Sequence, residues 1–226
     1  HYPLRRQRQM CIRDRDWGFN KHPPGSAFFP EIFFQVFGSQ DWAYYLLSQI
    51  FVLISFYYVF KFAYEILRNI KLSLISVLLL ESIFFYNFTS PEFNVNVCQL
   101  PFWSLVVYYS WKIYQSKEIK FLDCFLIGLF AAIGFLSKYL FIYLLISIIL
   151  LFIYLIFVKK IKKFDFKYLI TLEVFLVLLV PHFIWLYNND FITITYGLKR
   201  AGLEELRLLD HLKYPISFLF KQIGIL

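Results

Sequence analysis

The sequence predicts an all-α membrane protein with several spanning helices. Of its 226 residues, 60% are hydrophobic and 23% are aromatic, and the mean hydropathy is +0.60. Soluble domains are about half apolar, and they lack repeated uncharged runs of ~20 residues, the length that crosses a bilayer. Lysines and arginines also concentrate in alternate connections between these runs, which is typical of a polytopic membrane protein.

The first fifteen residues differ from the rest of the chain. Residues 10–15, MCIRDR, match the translation of a transposon-end adapter used in DNA library preparation, and the basic run LRRQRQ precedes them. Residues 1–15 hold five Arg and one Asp, so they carry four of the eight net positive charges. We expect 1–15 to be a sequencing-adapter artefact, to be set apart from the fold. We expect 16–226 to be a partial transmembrane domain, truncated at both ends.

Residues 16–25, DWGFNKHPPG, form a stiff polar stretch ahead of the apolar chain. Pro23 and Pro24 fix φ and remove two backbone donors, so this stretch is not a helix interior. Pro23 also disfavours the α region for His22. The Phe-rich run 25–38 is too short to span, which favours an interfacial helix. We interpret the stretch as part of an active-site mouth at the membrane surface; a plain Gly/Pro loop is the alternative.

Six spanning segments are predicted, and a seventh begins near Tyr214. They are 42–60, 72–91, 93–111, the two arms of 124–158, and 168–187. Because 124–158 is too long for one crossing of ~20 residues, we expect a hairpin that turns at 134–138.

The charge pattern predicts an orientation with His22 outside. The inward connections then hold two, three and five Lys or Arg residues, at 67–71, 112–120 and 159–167. The outward connections near 88–96 and 137–139 hold none and one, as expected where positive charge stays inside. The longer outward stretch 188–213 holds four.

Cationic side chains collect on the predicted outer face, at Lys21, His22, Lys138, Lys199 and Arg200. Cations at a membrane surface suit a lipid-linked phosphate. The alternative for each lone cation is an interfacial side chain that extends toward water and binds no ligand. For Lys199 and Arg200 the sequence favours neither interpretation over the other. Lys138 is the better candidate, because it is the single charge in 124–158 and charges near a membrane interior are generally functional.

Groups suited to acid–base chemistry are sparse on this face. Glu92 and Asn96 have helical spacing and would share a face, and Asp16 is a further candidate. Such acids would suit deprotonation of an acceptor hydroxyl or a metal site. Helix capping is the alternative for Asn94, and packing is the alternative for His182.

Four motifs occur in order along the chain. They are DWGFNKHPP at 16–24, EFNVN at 92–96 followed by LPFW, GLFAAIGFLSKY at 128–139, and PHFIWL at 181–186 followed by NDF and Tyr196. Together they resemble the bacterial branch of the protein O-mannosyltransferase-like glycosyltransferases, family 39, with the GT-C fold. This branch includes the lipid A aminoarabinose and galacturonic-acid transferases. The resemblance covers 16–226, and it depends on all four motifs, since each alone is weak.

The resemblance implies a multi-spanning helix bundle in the bacterial inner membrane, with interfacial helices at a periplasmic mouth. It implies transfer of a hexosyl or pentosyl sugar from a polyprenyl-phosphate donor to lipid A, a lipid-linked glycan or a protein, with membrane lipids as surroundings and no nucleic-acid partner. Lys21, His22 and Lys138 would bind the donor phosphate. The mouth would be lined by Asp16, Asn94, Asn96, Tyr139, His182 and Arg200. The resemblance implies no particular cofactor, and it leaves open whether a divalent metal takes part.

The chain departs from the family pattern in two places. The family's first outer loop carries an Asp–Glu pair whose Asp is the expected base, and that loop would lie upstream of Asp16. Many relatives also have an acidic residue where this chain has Asn96, so Glu92 would have to serve as the acidic helper. We therefore expect the chain as given to be inactive.

Two other functions account for part of the pattern. A lipid or glycolipid transporter would explain the spans and the outer cations, and a non-catalytic membrane protein would explain the spans alone. The transferase predicts that Lys21, His22 and Lys138 converge, whereas scatter over separate surfaces favours the other two.

Overall fold

The computed structural model describes residues 17–88, 90–200 and 210–223, so the predictions for 1–15 and Asp16 lie outside the described residues. All regular structure in the described part is helical. The helices are α1 Gly25–Phe37, α2 Asp41–Leu67, α3 Ile70–Glu81, α4 Phe84–Asn87, α5 Val95–Gln115, α6 Phe121–Ser137, α7 Ile142–Ile153, α8 Tyr168–Asn188, α9 Ile192–Arg200 and α10 Asp210–Ile223. A 3-10 turn, Tyr139–Phe141, and a π-helical turn, Tyr154–Val158, extend α7 at its two ends.

Three helices among the described residues are long and apolar enough to cross a membrane. They are Asp41–Leu67, Tyr139–Val158 and Tyr168–Asn188. The predicted all-α membrane fold is confirmed, and the run 124–158 is interrupted within the predicted turn, at Lys138. Lys138 has extended backbone angles, φ −161° and ψ 130°, and separates α6 from the helix that follows it. The predicted run 25–38 contains α1, Gly25–Phe37, which at 13 residues is too short to span.

Two of the predicted spans differ from the structure. The segment 72–91 is broken into α3 and α4, because Ser82 ends α3 and its hydroxyl donates to the Leu79 carbonyl. The segment 93–111 corresponds to α5, which is more polar than a lipid-facing span. This polarity is tolerated because α5 lies between α2 and α6, and many of its residues are buried there.

The bundle core lies along α5. α2 packs on one side of α5 and α6 on the other, and α8 packs on the far side of α6. One buried hydrophobic cluster includes Phe51 of α2, Val106 of α5 and Ile127 of α6. α1 crosses the end of this layer and contacts α2, α5 and α6. α5 and α6 run antiparallel, whereas α2 runs parallel to α5 and α8 runs parallel to α6, so the connections between helices lie at two opposite ends of the bundle.

Lysines stabilise one of these ends, which we call the lysine-rich end (residues 112–120 and 159–167). Lys112 Nζ donates to the buried Asp123 carboxylate at 2.8 Å. Lys162 Nζ donates to the carbonyls of Ile113 and Ser116, at 3.3 and 2.6 Å. Cations at a helix C-terminus satisfy carbonyl groups that lack partners within the helix. These lysines therefore have structural partners in addition to setting the charge of this end.

Helices α6 and α8 approach closely at Gly128. A Cβ atom there would lie 2.6 Å from the Thr171 carbonyl oxygen and 2.9 Å from the Val174 Cβ. The Thr171 hydroxyl donates to the Cys124 carbonyl at 3.0 Å, which ties the same two helices together. The absence of a side chain at Gly128 thus sets the helix separation.

We predict that Gly128→Ala lowers the free energy of unfolding by about 1–3 kcal/mol, the usual range for overpacking in a tight interior. Thermal unfolding of the detergent-solubilised protein measures the change. Gly197→Ala is the matched control, because a Cβ atom added at Gly197 would meet nothing within 4 Å and a helix such as α9 favours alanine over glycine. Equal melting temperatures for the two variants would contradict the close approach.

Candidate functional site

Residues 17–24, which we call the N-terminal strap, cross the end of the bundle opposite the lysine-rich end. Pro23 and Pro24 are buried, and the Pro24 carbonyl accepts from the Ala27 amide at 3.0 Å, which starts α1. Gly18 packs directly against the Trp185 ring, leaving no room for a Cβ atom. The stiffness predicted from the two prolines is thus combined with tight packing on α8.

His182 of α8 connects the strap to Tyr139, the first residue of the helix Tyr139–Val158. Its side chain is fully buried, with Nδ1 2.5 Å from the Trp17 carbonyl oxygen and Nε2 2.7 Å from the Tyr139 hydroxyl. Because a carbonyl oxygen only accepts, Nδ1 carries the proton. In the neutral ring Nε2 then accepts from Tyr139. The Trp185 ring lies nearly parallel to the imidazole, with 6.1 Å between the ring centres.

A second bond ties the strap to α9. The Thr193 hydroxyl is buried and donates to the Phe19 carbonyl at 2.6 Å. Irregular backbone in a membrane protein needs partners for its polar groups, and here α8 and α9 supply them. The strap is therefore held in one conformation just before Lys21 and His22.

Lys138 is held beside the strap by α5. Its Nζ donates to Asn96 Oδ1 at 2.5 Å. Asn96 is itself placed by the helix cap, since Asn94 Oδ1 accepts from the Asn96 and Val97 amides at 2.8 and 3.2 Å. Gly25 brings α1 close to the end of α6, where an added Cβ atom would lie 2.8 Å from the Leu136 carbonyl oxygen.

The cationic side chains act on one another. Burial lowers the pKa of His22 below its usual 6.5, and the positive charges of Lys138, Arg200 and Lys21 lower this pKa further. Burial and then Arg200 lower the pKa of Lys138. Lys21 Nζ also lies 5.9 Å from the centre of the Tyr196 ring. Within residues 17–88, 90–200 and 210–223, none of these four cationic groups forms an ion pair with a carboxylate.

We call Lys21, His22, Lys138 and Arg200 the cation cluster. It joins the strap, the α6–α7 turn and the end of α9, which are far apart in sequence. The structure also brings Asn96, Tyr139 and His182 to this end of the bundle through the hydrogen bonds described above. Lys199 is exposed on α9.

Glu92 lies differently from the expectation. It is exposed and precedes α5, which begins at Val95, so Glu92 and Asn96 do not share a helical face. The Asn94 side chain caps α5, as the alternative interpretation held. Across the described residues, no three His, Cys, Asp or Glu side chains group closely enough to hold a metal ion.

Two residues of this end were not identified from the sequence as site residues. Trp185 lies within the fourth motif, which drew attention to this segment. Its contact with Gly18 could not be predicted, because the two residues are far apart in the sequence. Thr193 had no sequence signal, because a threonine in an apolar stretch near a helix start is ordinary.

Comparison with known families identifies the family of this chain. A family model described as dolichyl-phosphate-mannose-protein mannosyltransferase matches residues 21–185. The chain belongs to this family. It is therefore a membrane glycosyltransferase by family, which confirms the resemblance given by its motifs. Comparison with curated proteins found no match, and comparison with solved structures found none either.

We predict that His22 titrates below pH 6.5 and that Lys138→Met raises its pKa, because one positive charge is removed while the burial remains. NMR titration of the histidine ring signals measures both values. Since the unfolded chain binds this proton first as pH falls, His22 should also destabilise the fold below about pH 6.5. Lys117→Met, at the lysine-rich end, should leave the His22 pKa unchanged. An unshifted His22 pKa in Lys138→Met would place the two side chains apart.

We predict that His182→Phe loosens the strap, because the Trp17 carbonyl loses its donor while the ring volume is nearly kept. An unsatisfied buried group costs about 1–3 kcal/mol, so amide hydrogen exchange in 17–24 should accelerate roughly 5- to 100-fold. Exchange followed by mass spectrometry measures this. Phe183→Leu, an exposed neighbour on the same helix, is the control. Strap protection equal to that of the control would show that the His182 bonds do not hold the strap.

Proposed function

We propose that this glycosyltransferase transfers a sugar from a polyprenyl-phosphate-linked donor to a lipid or protein acceptor, with the cation cluster at the donor phosphate. The observation that supports this most is that the charges of Lys138, Arg200 and Lys21 act on His22, and that of Arg200 acts on Lys138, while none of the four has a carboxylate partner among the described residues. Cations left without an anion at a membrane-protein surface suit a phosphate. The proposal includes the periplasmic face of the bacterial inner membrane, on the basis of the charge pattern between spans.

In this reaction the cation cluster would stabilise the leaving phosphate. The bond between the sugar's anomeric carbon and the phosphate oxygen breaks, and an acceptor oxygen forms the new bond to that carbon. Negative charge builds on the departing phosphate, which Lys21, Lys138 and Arg200 would stabilise electrostatically. The acceptor proton goes to a carboxylate base. Glu92 is the candidate acidic helper in the described part of the chain, and no residue there is assigned as the base.

Asn96 is a suitable hydrogen-bond partner for a lysine that binds a phosphate, as proposed for Lys138. The amide oxygen accepts one hydrogen bond and so orients the ammonium group, but it carries no charge. A carboxylate at the same position would orient Lys138 and also neutralise it. Where many relatives have an acidic residue, this chain has the neutral Asn96, so Lys138 is not paired with a carboxylate there.

His22 would respond to the same ligand. Its lowered pKa keeps the imidazole largely neutral at pH 7. A bound phosphate would offset the repulsion from the neighbouring cations and raise this pKa, so that the ring could donate a hydrogen bond.

We predict that Lys138→Met weakens binding of polyprenyl phosphate to the purified protein by about 10- to 100-fold, because a hydrogen bond to a charged group contributes about 1.5–3 kcal/mol. Calorimetry or fluorescence titration in detergent measures the affinity. Lys117→Met is the matched control, since Lys117 is an exposed lysine of the opposite end. Polyprenol without the phosphate should bind equally to all three proteins.

Two results would contradict the proposal. One is an equal loss of affinity in Lys138→Met and Lys117→Met. The other is movement of labelled lipid across vesicles reconstituted with the purified protein, which would favour the transporter.

A further inference from the structure

The two ends of the strap are linked to the two sides of Lys138. At the first end, the Trp17 carbonyl is linked to the Tyr139 hydroxyl through the buried His182 ring, by contacts of 2.5 and 2.7 Å. Tyr139 directly follows Lys138 in the chain. This link therefore runs from the strap, across α8, to the turn that carries Lys138.

The other end of the strap leads into α1, which packs against the last turn of α6. A Cβ atom added at Gly25, the first residue of α1, would lie 2.8 Å from the Leu136 carbonyl oxygen and 3.1 Å from the Ser137 amide nitrogen. Leu136 and Ser137 directly precede Lys138. The strap therefore carries its two cations between two attachments, and Lys138 lies between the residues at which these attachments are made.

The Tyr139 hydroxyl lies where the strap, α8 and α9 meet. In the neutral His182 ring Nε2 is the acceptor, so Tyr139 is the donor. The Thr193 hydroxyl also interacts with that of Tyr139, and it gives its own proton to the Phe19 carbonyl at 2.6 Å. Through these contacts, Tyr139 is connected to two carbonyls of the strap, those of Trp17 and Phe19.

These contacts fix a separation as well as an orientation. The Asn96 side chain orients the Lys138 ammonium group, but it does not relate Lys138 to the strap. The packing at Gly25 and the path through Tyr139 do so. A segment attached at both ends keeps its distance from a neighbouring group, whereas a segment attached at one end can pivot about it.

Electrostatic repulsion acts against the close approach of these cations. Burial lowers the pKa of His22, and the neighbouring cations, Lys138 first among them, lower it further. Like charges repel one another, so in the absence of an anion they would favour a wider separation. A phosphate is small, and cations on opposite sides contact it together only when their separation is kept.

We propose that Tyr139 is a positioning residue for the donor phosphate and does not itself contact the phosphate. Acting through His182, its hydroxyl holds Lys138 and the strap cations at the separation at which one phosphate contacts both. This inference rests on the proposed function. It adds a residue that affects the affinity for the donor through the spacing of other side chains.

A double-mutant cycle of polyprenyl phosphate affinity tests this role in the purified protein. We expect Tyr139→Phe to weaken binding about 3- to 10-fold, the equivalent of one net hydrogen bond. In the Lys138→Met background the same change should weaken binding less than about 2-fold, because no ammonium group is left to be positioned. A purely structural role would give equal losses in the two backgrounds, and that result would overturn the proposal.

NMR titration of His22 gives a second readout, which needs no ligand. In Tyr139→Phe the pKa of His22 should rise part of the way to its value in Lys138→Met, because the two charges are no longer held at a fixed separation. Tyr143→Phe is the matched control for both measurements, since Tyr143 lies one turn along the same helix and is 65% exposed. An unchanged pKa in Tyr139→Phe would overturn the fixed spacing.

The positioning role and the proposed function fail in different ways. A parent protein that binds no polyprenyl phosphate would contradict the proposed function and, with it, this role. A parent protein that binds polyprenyl phosphate, and binds it equally well without the Tyr139 hydroxyl, would overturn the positioning role alone.

Discussion

The hydrogen bond between His182 and the Trp17 carbonyl is the contact on which the site depends. The strap is irregular backbone at the end of a membrane bundle, where an unpaired carbonyl is costly. His182 supplies the donor for Trp17, and Thr193 supplies the one for Phe19. These bonds hold Trp17 and Phe19 in place, and therefore restrict the positions of Lys21 and His22, which follow directly. The restriction comes from α8 and α9, because the strap has no helical hydrogen bonds of its own.

The two ends of the bundle use lysine in different ways. At the lysine-rich end, Lys112 pairs with Asp123, and Lys162 and Lys167 donate to backbone carbonyls of the α5–α6 connection. At the other end, Lys138 has a neutral amide partner and cationic neighbours. A lysine bonded to a carboxylate has its charge neutralised in place, whereas Lys138 has no opposite charge beside it and is partly shielded from water. This contrast separates the lysines with a structural role from the one best suited to an anionic ligand.

Sequence reasoning succeeded where length and charge impose the outcome. An apolar run as long as 124–158 has to turn, and its lone charge marks the turn at Lys138. It was wrong where a helix boundary depends on local hydrogen bonds, as at Ser82, which divides 72–91, and at Val95, which leaves Glu92 outside α5. The link from Tyr139 through His182 to Trp17 joins three distant segments. Periodicity carries no information about such contacts, although the motifs had singled out all three segments.

The structure of the protein with a bound polyprenyl phosphate, determined by electron cryo-microscopy in a lipid nanodisc, tests the central claim most directly. We expect the phosphate to lie within hydrogen-bonding distance of Lys138 and of at least one of Lys21, His22 and Arg200, with the strap still bonded to His182 and Thr193. A phosphate bound at another surface, with the cation cluster empty, would contradict the assignment of these residues to the donor.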